Sequence, residues 1–166
     1  MGRARRGRAA GFAELARQHG FTLAEMAIAL AIVAVVASIG LPKFQDYQEQ
    51  LRVTQAIYEI NFMNSKLMLK LDELHGAAPG DLSEIGELNK KDPWGRPYQY
   101  QPLTGLKGVA GKARKNKNLV PINTYYDLYS VGKDGQSVLA ITAAASRDDI
   151  LLANDGRFVG MAKDYE

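Results

Sequence analysis

From Met26 to Leu41 the chain reads MAIALAIVAVVASIGL, a stretch without a charge, and the apolar run extends back to Phe21 with Glu25 as its one ionisable side chain. A helix rises ~1.5 Å per residue, so roughly 20 such residues cross the ~30 Å hydrocarbon core of a bilayer. In a chain of 166 residues this segment leaves room for one further domain of ordinary size. Arg3, Arg5, Arg6, Arg8 and Arg17 precede it against a single acid, Glu14. The remaining 146 residues carry 16 basic and 17 acidic groups. The overall charge of +3 is thus that of a basic leader joined to a near-neutral body, which weakens any argument from whole-chain charge for nucleic-acid binding. The leader is expected to stay on the cytoplasmic side, with everything after Leu41 on the far face.

Cysteine is absent, which excludes disulfides, thiolate metal sites and cysteine nucleophiles. His19 lies in the leader and only His75 remains beyond it, so a histidine-rich zinc site or a conventional catalytic triad is not expected. No nucleophile–base pair stands out, and the chain reads as a non-enzyme.

Three readings compete for the apolar segment. A cleaved secretory signal needs a small-residue site such as Ala29-Leu30-Ala31, but that site falls inside the apolar run, which passes unbroken into a helical pattern. An ordinary single-pass anchor leaves Glu25 without a purpose, because an acid costs up to ~3 kcal/mol near a bilayer's centre and usually has a partner. The third reading uses the whole string. Gly20-Phe21-Thr22-Leu23-Ala24-Glu25 followed by the apolar run resembles the processing site of type IV prepilins and pseudopilins. The resemblance implies that a membrane peptidase cuts after Gly20 and methylates the new amino terminus of Phe21. It also implies a helix-kinking role for Pro42. Cleavage exposes an amine with an unperturbed pKa near ~8, and the Glu25 of a neighbouring subunit can neutralise it in an apolar filament core, setting the axial register.

Beyond Leu41, Val53, Ile57, Ile60, Leu67, Leu71 and Leu74 recur at helical spacing and give one apolar face, the expected core of a small domain. Pro42 is expected to kink or loosen the helix without ending it. His75-Gly76 and Ala77-Ala78-Pro79-Gly80 supply the stop. The expected organisation is a leader over 1–20, a membrane or filament-core half-helix over 21–42, an amphipathic half-helix over 43–75 and a C-terminal loop and sheet domain over 76–166.

Within that domain, Asp81-Leu82-Ser83-Glu84 has the spacing of a helix cap and opens a short helix toward Leu88. The segment from Lys91 to Tyr100 packs two prolines, a glycine and three aromatics into a turn and a short strand, with the aromatics expected to buttress the helix–sheet junction. Two further strands, Tyr125 to Val131 and Ser137 to Ala143, are expected to pair as an antiparallel hairpin around Lys133 to Gln136. The run from Lys107 to Lys117, with five basic residues among glycines, reads as a solvated loop, the alternatives being a contact with DNA, anionic headgroups or an acidic neighbour. Without interleaved aromatics, no nucleic-acid partner is expected.

Asp92-Pro93-Trp94-Gly95-x-Pro97-Tyr98-x-Tyr100 closely resembles the signature of the major pseudopilin of type II secretion systems, the type G subunit. Tyr126 to Gly135 and Asp148-Asp149-Ile150 resemble that family's penultimate strand, its following loop and the acidic motif closing the loop. The resemblance implies an α+β, type IV pilin-like fold, with a long N-terminal helix packed on a small antiparallel sheet. It also implies calcium, held by Asp134, Asp148 and Asp149 with the carbonyl of Val131, since a hard cation needs several converging oxygens. The alternative for these acids is that Asp134 makes a turn and Asp148 caps a helix start. Two departures stand out: the apolar Val138-Leu139-Ala140-Ile141 lies between Asp134 and Asp148, and the tail from Leu151 to Glu166 runs past the family's usual end.

The function implied is structural. A subunit of the bacterial inner membrane, its C-terminal domain in the periplasm, self-associates into a helical filament that drives export of folded proteins across the outer membrane. The partners implied are a prepilin peptidase, minor pseudopilins, an inner-membrane assembly platform and its ATPase, the outer-membrane secretin and, before assembly, membrane lipid. The alternatives are a type IV pilin of a surface fibre, disfavoured by the missing cysteine pair, and a membrane-anchored periplasmic binding domain that never polymerises.

Overall fold

The computed structural model of the chain describes residues 20–105, 108 and 111–165. The basic leader before Gly20, Lys107 of the basic loop and Glu166 of the tail lie outside the described residues. One helix, α1, spans Leu23–Glu73 and continues through Pro42. The chain divides into two compact units with the boundary between Lys43 and Phe44. In the first, the large apolar side chains from Phe21 to Leu41 are exposed, as on a helix whose solvent is lipid.

In the second unit α1 buries Ala56, Ile60, Met63, Leu67 and Leu71, a stripe at spacings of three and four. Val53 and Ile57 flank it half-buried. Ala56 and Met63 complete a face on which Leu74 was expected. Leu74 instead follows the end of α1 and is 38% exposed. The turn there has the Schellman pattern: Gly76 N donates to the Leu71 carbonyl (2.8 Å) and His75 N to that of Asp72 (3.1 Å), with His75 at φ 55° and Gly76 at φ 90°. Reversal at His75 carries the chain away before Leu74 can reach the core.

A short 3₁₀ turn follows at Leu82–Ile85, capped by Asp81, which accepts from Ser83 N (2.7 Å). It stops at Gly86, φ 75°, short of Leu88, because a left-handed residue cannot propagate the turn. Four strands then form one antiparallel sheet in sequence order, β1 (Gln99–Pro102), β2 (Tyr126–Ser130), β3 (Ile150–Ala153) and β4 (Phe158–Met161). All four residues of β3 are buried. Ile150 and Leu152 join Ile60, Met63, Leu67, Tyr126 and Leu128 in the core against α1, and Leu151 and Ala153 pack with Ile122, Ile141 and Ala162 on the other side. Each fully buried large apolar side chain contributes about 1.5–3 kcal/mol.

The expected hairpin is corrected here. Ser137 to Ala143 is not a strand, and β2 pairs instead with β3, Tyr129 opposite Leu151 and Ser130 opposite Ile150. Val138 and Leu139 are exposed, at 47% and 38%, so a hairpin of this segment would place its apolar alternation against nothing. Ile150–Ala153 has the apolar content that a central strand needs, and Asn154–Gly156 turns the chain back into β4.

Candidate functional site

The residues singled out by the sequence fall into two places, the start of α1 and the loop system after β2. At the first, Gly20 is exposed, and a Cβ built on it would meet nothing within 4 Å among the described residues. Glu25 closes a capping box with Thr22: its Oε2 accepts from Thr22 N (2.8 Å) and Thr22 Oγ1 (2.9 Å), while Glu25 N donates to Thr22 Oγ1 (3.2 Å). The Thr-x-x-Glu spacing is the sequence signal of this local role.

The aromatic motif is a clamp. Asp92, 5% exposed, accepts from Trp94 N (3.0 Å) and Arg96 N (2.8 Å) on one oxygen and from Ser130 Oγ (2.5 Å) on the other, tying its own turn to the end of β2. Gly95 takes φ 88° so that the turn can close on the Asp92 carbonyl. Three aromatics of the motif reach the helix or its following loop. Trp94 Nε1 donates to Glu49 (3.0 Å), Tyr98 OH to Glu59 (2.8 Å) and Tyr100 OH to the Pro79 carbonyl (2.8 Å). Tyr126 of β2 adds a bond from its OH to Asn64 Oδ1 (2.6 Å). These contacts are the expected helix–sheet buttress.

Burial pushes the phenols of Tyr98, Tyr100 and Tyr126 well above their ordinary value, with the hydrogen bond to Glu59 adding to the effect at Tyr98. A phenol whose folded pKa is raised holds its proton more tightly folded than unfolded. Its stabilisation is complete below the unfolded value of about 10 and is lost as pH rises above it. In an alkaline titration followed by phenolate absorbance and circular dichroism, these three tyrosines are expected to ionise together with unfolding. Ionisation of all eight tyrosines before the loss of ellipticity would contradict the clamp.

In the loop system, Asp134 Oδ1 accepts from Gln136 N (2.7 Å), the local turn-making role. Asp148 Oδ2 accepts from Asp134 N (2.9 Å). Asp148 follows the 3₁₀ turn at Ala144–Ser146 and so does not cap its start. Gly132, φ 65°, lets the two segments touch, since a Cβ there would stand 2.3 Å from the Asp148 carbonyl oxygen. Asp149 is fully buried and faces elsewhere, accepting from Arg114 (2.6 Å) and Ser137 Oγ (2.6 Å). Burial raises its pKa, and the bonds from Ser137 and Arg114 oppose that shift. Asp134 and Asp148 are thus brought together and Asp149 is committed to an arginine. Among the described residues no three His, Cys, Asp or Glu side chains group as a metal site, so the side chains as placed do not fit a calcium shell.

In the basic run Lys112, Lys115 and Lys117 are exposed, as a solvated loop predicts, and among its described cations Arg114 alone departs from that reading. It is 2% exposed, its guanidinium lies 4.2 Å over the Tyr129 ring, and its amide donates to Asp127 Oδ2 (2.7 Å). Asn123, also buried, bonds Asp127 and the Leu152 carbonyl, both at 2.9 Å. Nothing in the sequence marked Arg114 apart from the neighbouring cations, because its partners are 13 and 35 residues away.

Comparison with known proteins places these features. The prokaryotic N-terminal methylation motif matches residues 15–41. The chain is similar to the type II secretion system core protein G of Pseudomonas aeruginosa, at 29% identity over 72% of this chain and 87% of the relative. It is also similar to a fimbrial protein of Neisseria meningitidis serogroup A, at 28% identity over 83% of this chain and 81% of the relative. A fimbrial protein of Pseudomonas aeruginosa is similar over a shorter stretch, 40% identical over 48 residues, 29% of this chain and 31% of the relative. No solved structure matches the chain. Two of these likenesses run well past the membrane segment into the domain that the aromatic clamp holds on the helix, so the chain carries a prokaryotic N-terminal methylation motif and is similar along most of its length to a type II secretion core protein and to a fimbrial protein.

Proposed function

We propose that the chain is the major pseudopilin of a type II secretion system, a structural subunit that polymerises into a periplasmic filament driving export of folded proteins across the outer membrane. The observation that carries this reading is the likeness to core protein G along most of both chains. The Asp92 to Tyr100 segment, which resembles that family's signature, supports it by forming a coherent structural clamp. The subunit is inserted by its apolar half-helix with the C-terminal domain in the periplasm, cut after Gly20 by a prepilin peptidase and methylated on Phe21. An assembly platform and its ATPase then draw it from the membrane, together with minor pseudopilins, toward the outer-membrane secretin. The chain itself performs no catalysis.

Self-association also has support on the helix surface. Phe44, Leu51 and Tyr58 recur every seven residues, followed by Phe62 and Leu69, and all five are between 44% and 70% exposed. The likeness to meningococcal fimbrial protein favours a second reading, a pilin of a surface fibre. Deleting the gene and measuring exoprotein release and surface fibres together separates the two. Loss of secretion with fibres intact is expected, and loss of fibres with normal secretion would select the pilin.

A further inference from the structure

A loop closed by calcium brings a carboxylate and backbone carbonyls onto one cation. Here both kinds of oxygen have guanidinium partners instead. Arg96 Nη1 donates to the Gly132 carbonyl (2.7 Å), and both its terminal nitrogens reach the Lys133 carbonyl (3.3 Å). A Cβ on Gly135 would stand 2.5 Å from the Arg96 guanidinium carbon, so the glycine is what permits this approach. On the other side of the loop, Arg114 Nη2 meets Asp149 Oδ2 at 2.6 Å, and Ser137 Oγ bridges the pair, accepting from Arg114 Nη1 (2.5 Å) and donating to Asp149 (2.6 Å). Arg114 is 2% and Asp149 0% exposed.

We propose that the connection from β2 to β3 is closed by two internal cations, Arg96 on its carbonyls and Arg114 on its buried carboxylate, so that the domain folds without calcium. A fixed guanidinium fork suits this task because it carries permanent charge and several donors in one plane. Arg96 takes the Gly132 and Lys133 carbonyls and Arg114 the Asp149 carboxylate. Asp148 is held by Asp134 N and Asp149 by Arg114, and the two arginines do separately what one metal does by convergence. Within this pair, Asp149 Oδ1 and Arg114 Nε are buried and have no hydrogen bond among the described residues.

The test is thermal unfolding of the detergent-solubilised full chain in calcium chloride and in chelator, for the natural sequence, Arg114→Met, Asp149→Asn and the double variant. The natural protein is expected to melt at the same temperature in both solutions. Arg114→Met is expected to lower that temperature by roughly 10 °C or more, because it strands a buried charge, and the double variant to recover part of the loss. Should Arg114→Met not fold, the double variant and Asp149→Asn still report the pair, with the double variant expected to melt close to Asp149→Asn. A saturable rise of the natural protein's melting temperature with calcium would overturn the proposal. So would additive effects of the two substitutions, since additivity means that Arg114 and Asp149 are not coupled.

Discussion

Glu25→Gln is expected to abolish filament assembly while leaving membrane insertion and cleavage after Gly20 intact. The argument turns on charge in an apolar setting. Under the proposed function, cleavage would free a cationic amine on Phe21, and an amine carried into the packed apolar core of a filament without a counter-charge costs several kcal/mol per subunit. That is enough to suppress assembly a hundredfold or more, since each ~1.4 kcal/mol is a factor of ten. The capping box complicates the choice of variant. Glu25→Ala removes the charge and also the acceptor that Thr22 N uses at 2.8 Å, a loss worth about 1 kcal/mol of helix stability by itself. Glu25→Gln keeps an oxygen for that bond and removes only the charge. Thr22→Val does the converse, deleting the hydroxyl that pairs with Glu25 while leaving the carboxylate. Cross-linking of processed subunits should show multimers for Thr22→Val and none for Glu25→Gln. Normal multimers from Glu25→Gln would remove the charge pair from the account and leave Glu25 as a helix cap.

Asp92→Ala is expected to destabilise the C-terminal domain by roughly 3–5 kcal/mol. The carboxylate gathers two backbone N–H groups and the Ser130 hydroxyl, and Ser130 is itself fully buried. Removing it leaves the fully buried Ser130 hydroxyl and the two half-buried amides without this partner, and also unties the turn from the end of β2. Asp92→Asn keeps one acceptor but turns a donor toward Ser130, so a smaller loss is expected, about 1–2 kcal/mol. The chain's single tryptophan, Trp94, sits in this turn with its indole bonded to Glu49, so its fluorescence reports the event directly. Denaturant unfolding of Asp92→Ala within 1 kcal/mol (about experimental error) of the natural protein would show that the turn closes without the carboxylate.

The sequence announced the apolar half-helix, the N-terminal methylation motif, the amphipathic continuation as far as Leu71 and the stop at His75-Gly76. Each is written in a contiguous stretch and follows from period, length or local backbone preference. The role of the Lys91 to Tyr100 aromatics was also legible, since rings of that number beside two prolines must cover something. The strand pairing was not. Val138 to Ile141 and Ile150 to Ala153 are both short apolar runs, and only the burial of the second on both faces makes it the central strand. Local pattern cannot choose between two such segments, because the choice depends on what packs on each face.

The same limit explains the arginines. Arg96 occupied an unmarked place in the aromatic motif and Arg114 one place in a run of cations, yet both are committed to partners far along the chain. Charge alone made Arg114 a surface residue, and only the assembled sheet supplies the Tyr129 ring, Ser137 and Asp149 that make its burial affordable. The sequence by itself determined a helix long and apolar enough to cross a membrane, opening on an N-terminal methylation motif and continuing into a small domain, because those properties depend on hydrophobic length and local motif. The tertiary structure decided which strands pair and which cation closes the loop, because those depend on oxygens and rings that come together only when segments distant in sequence share one core.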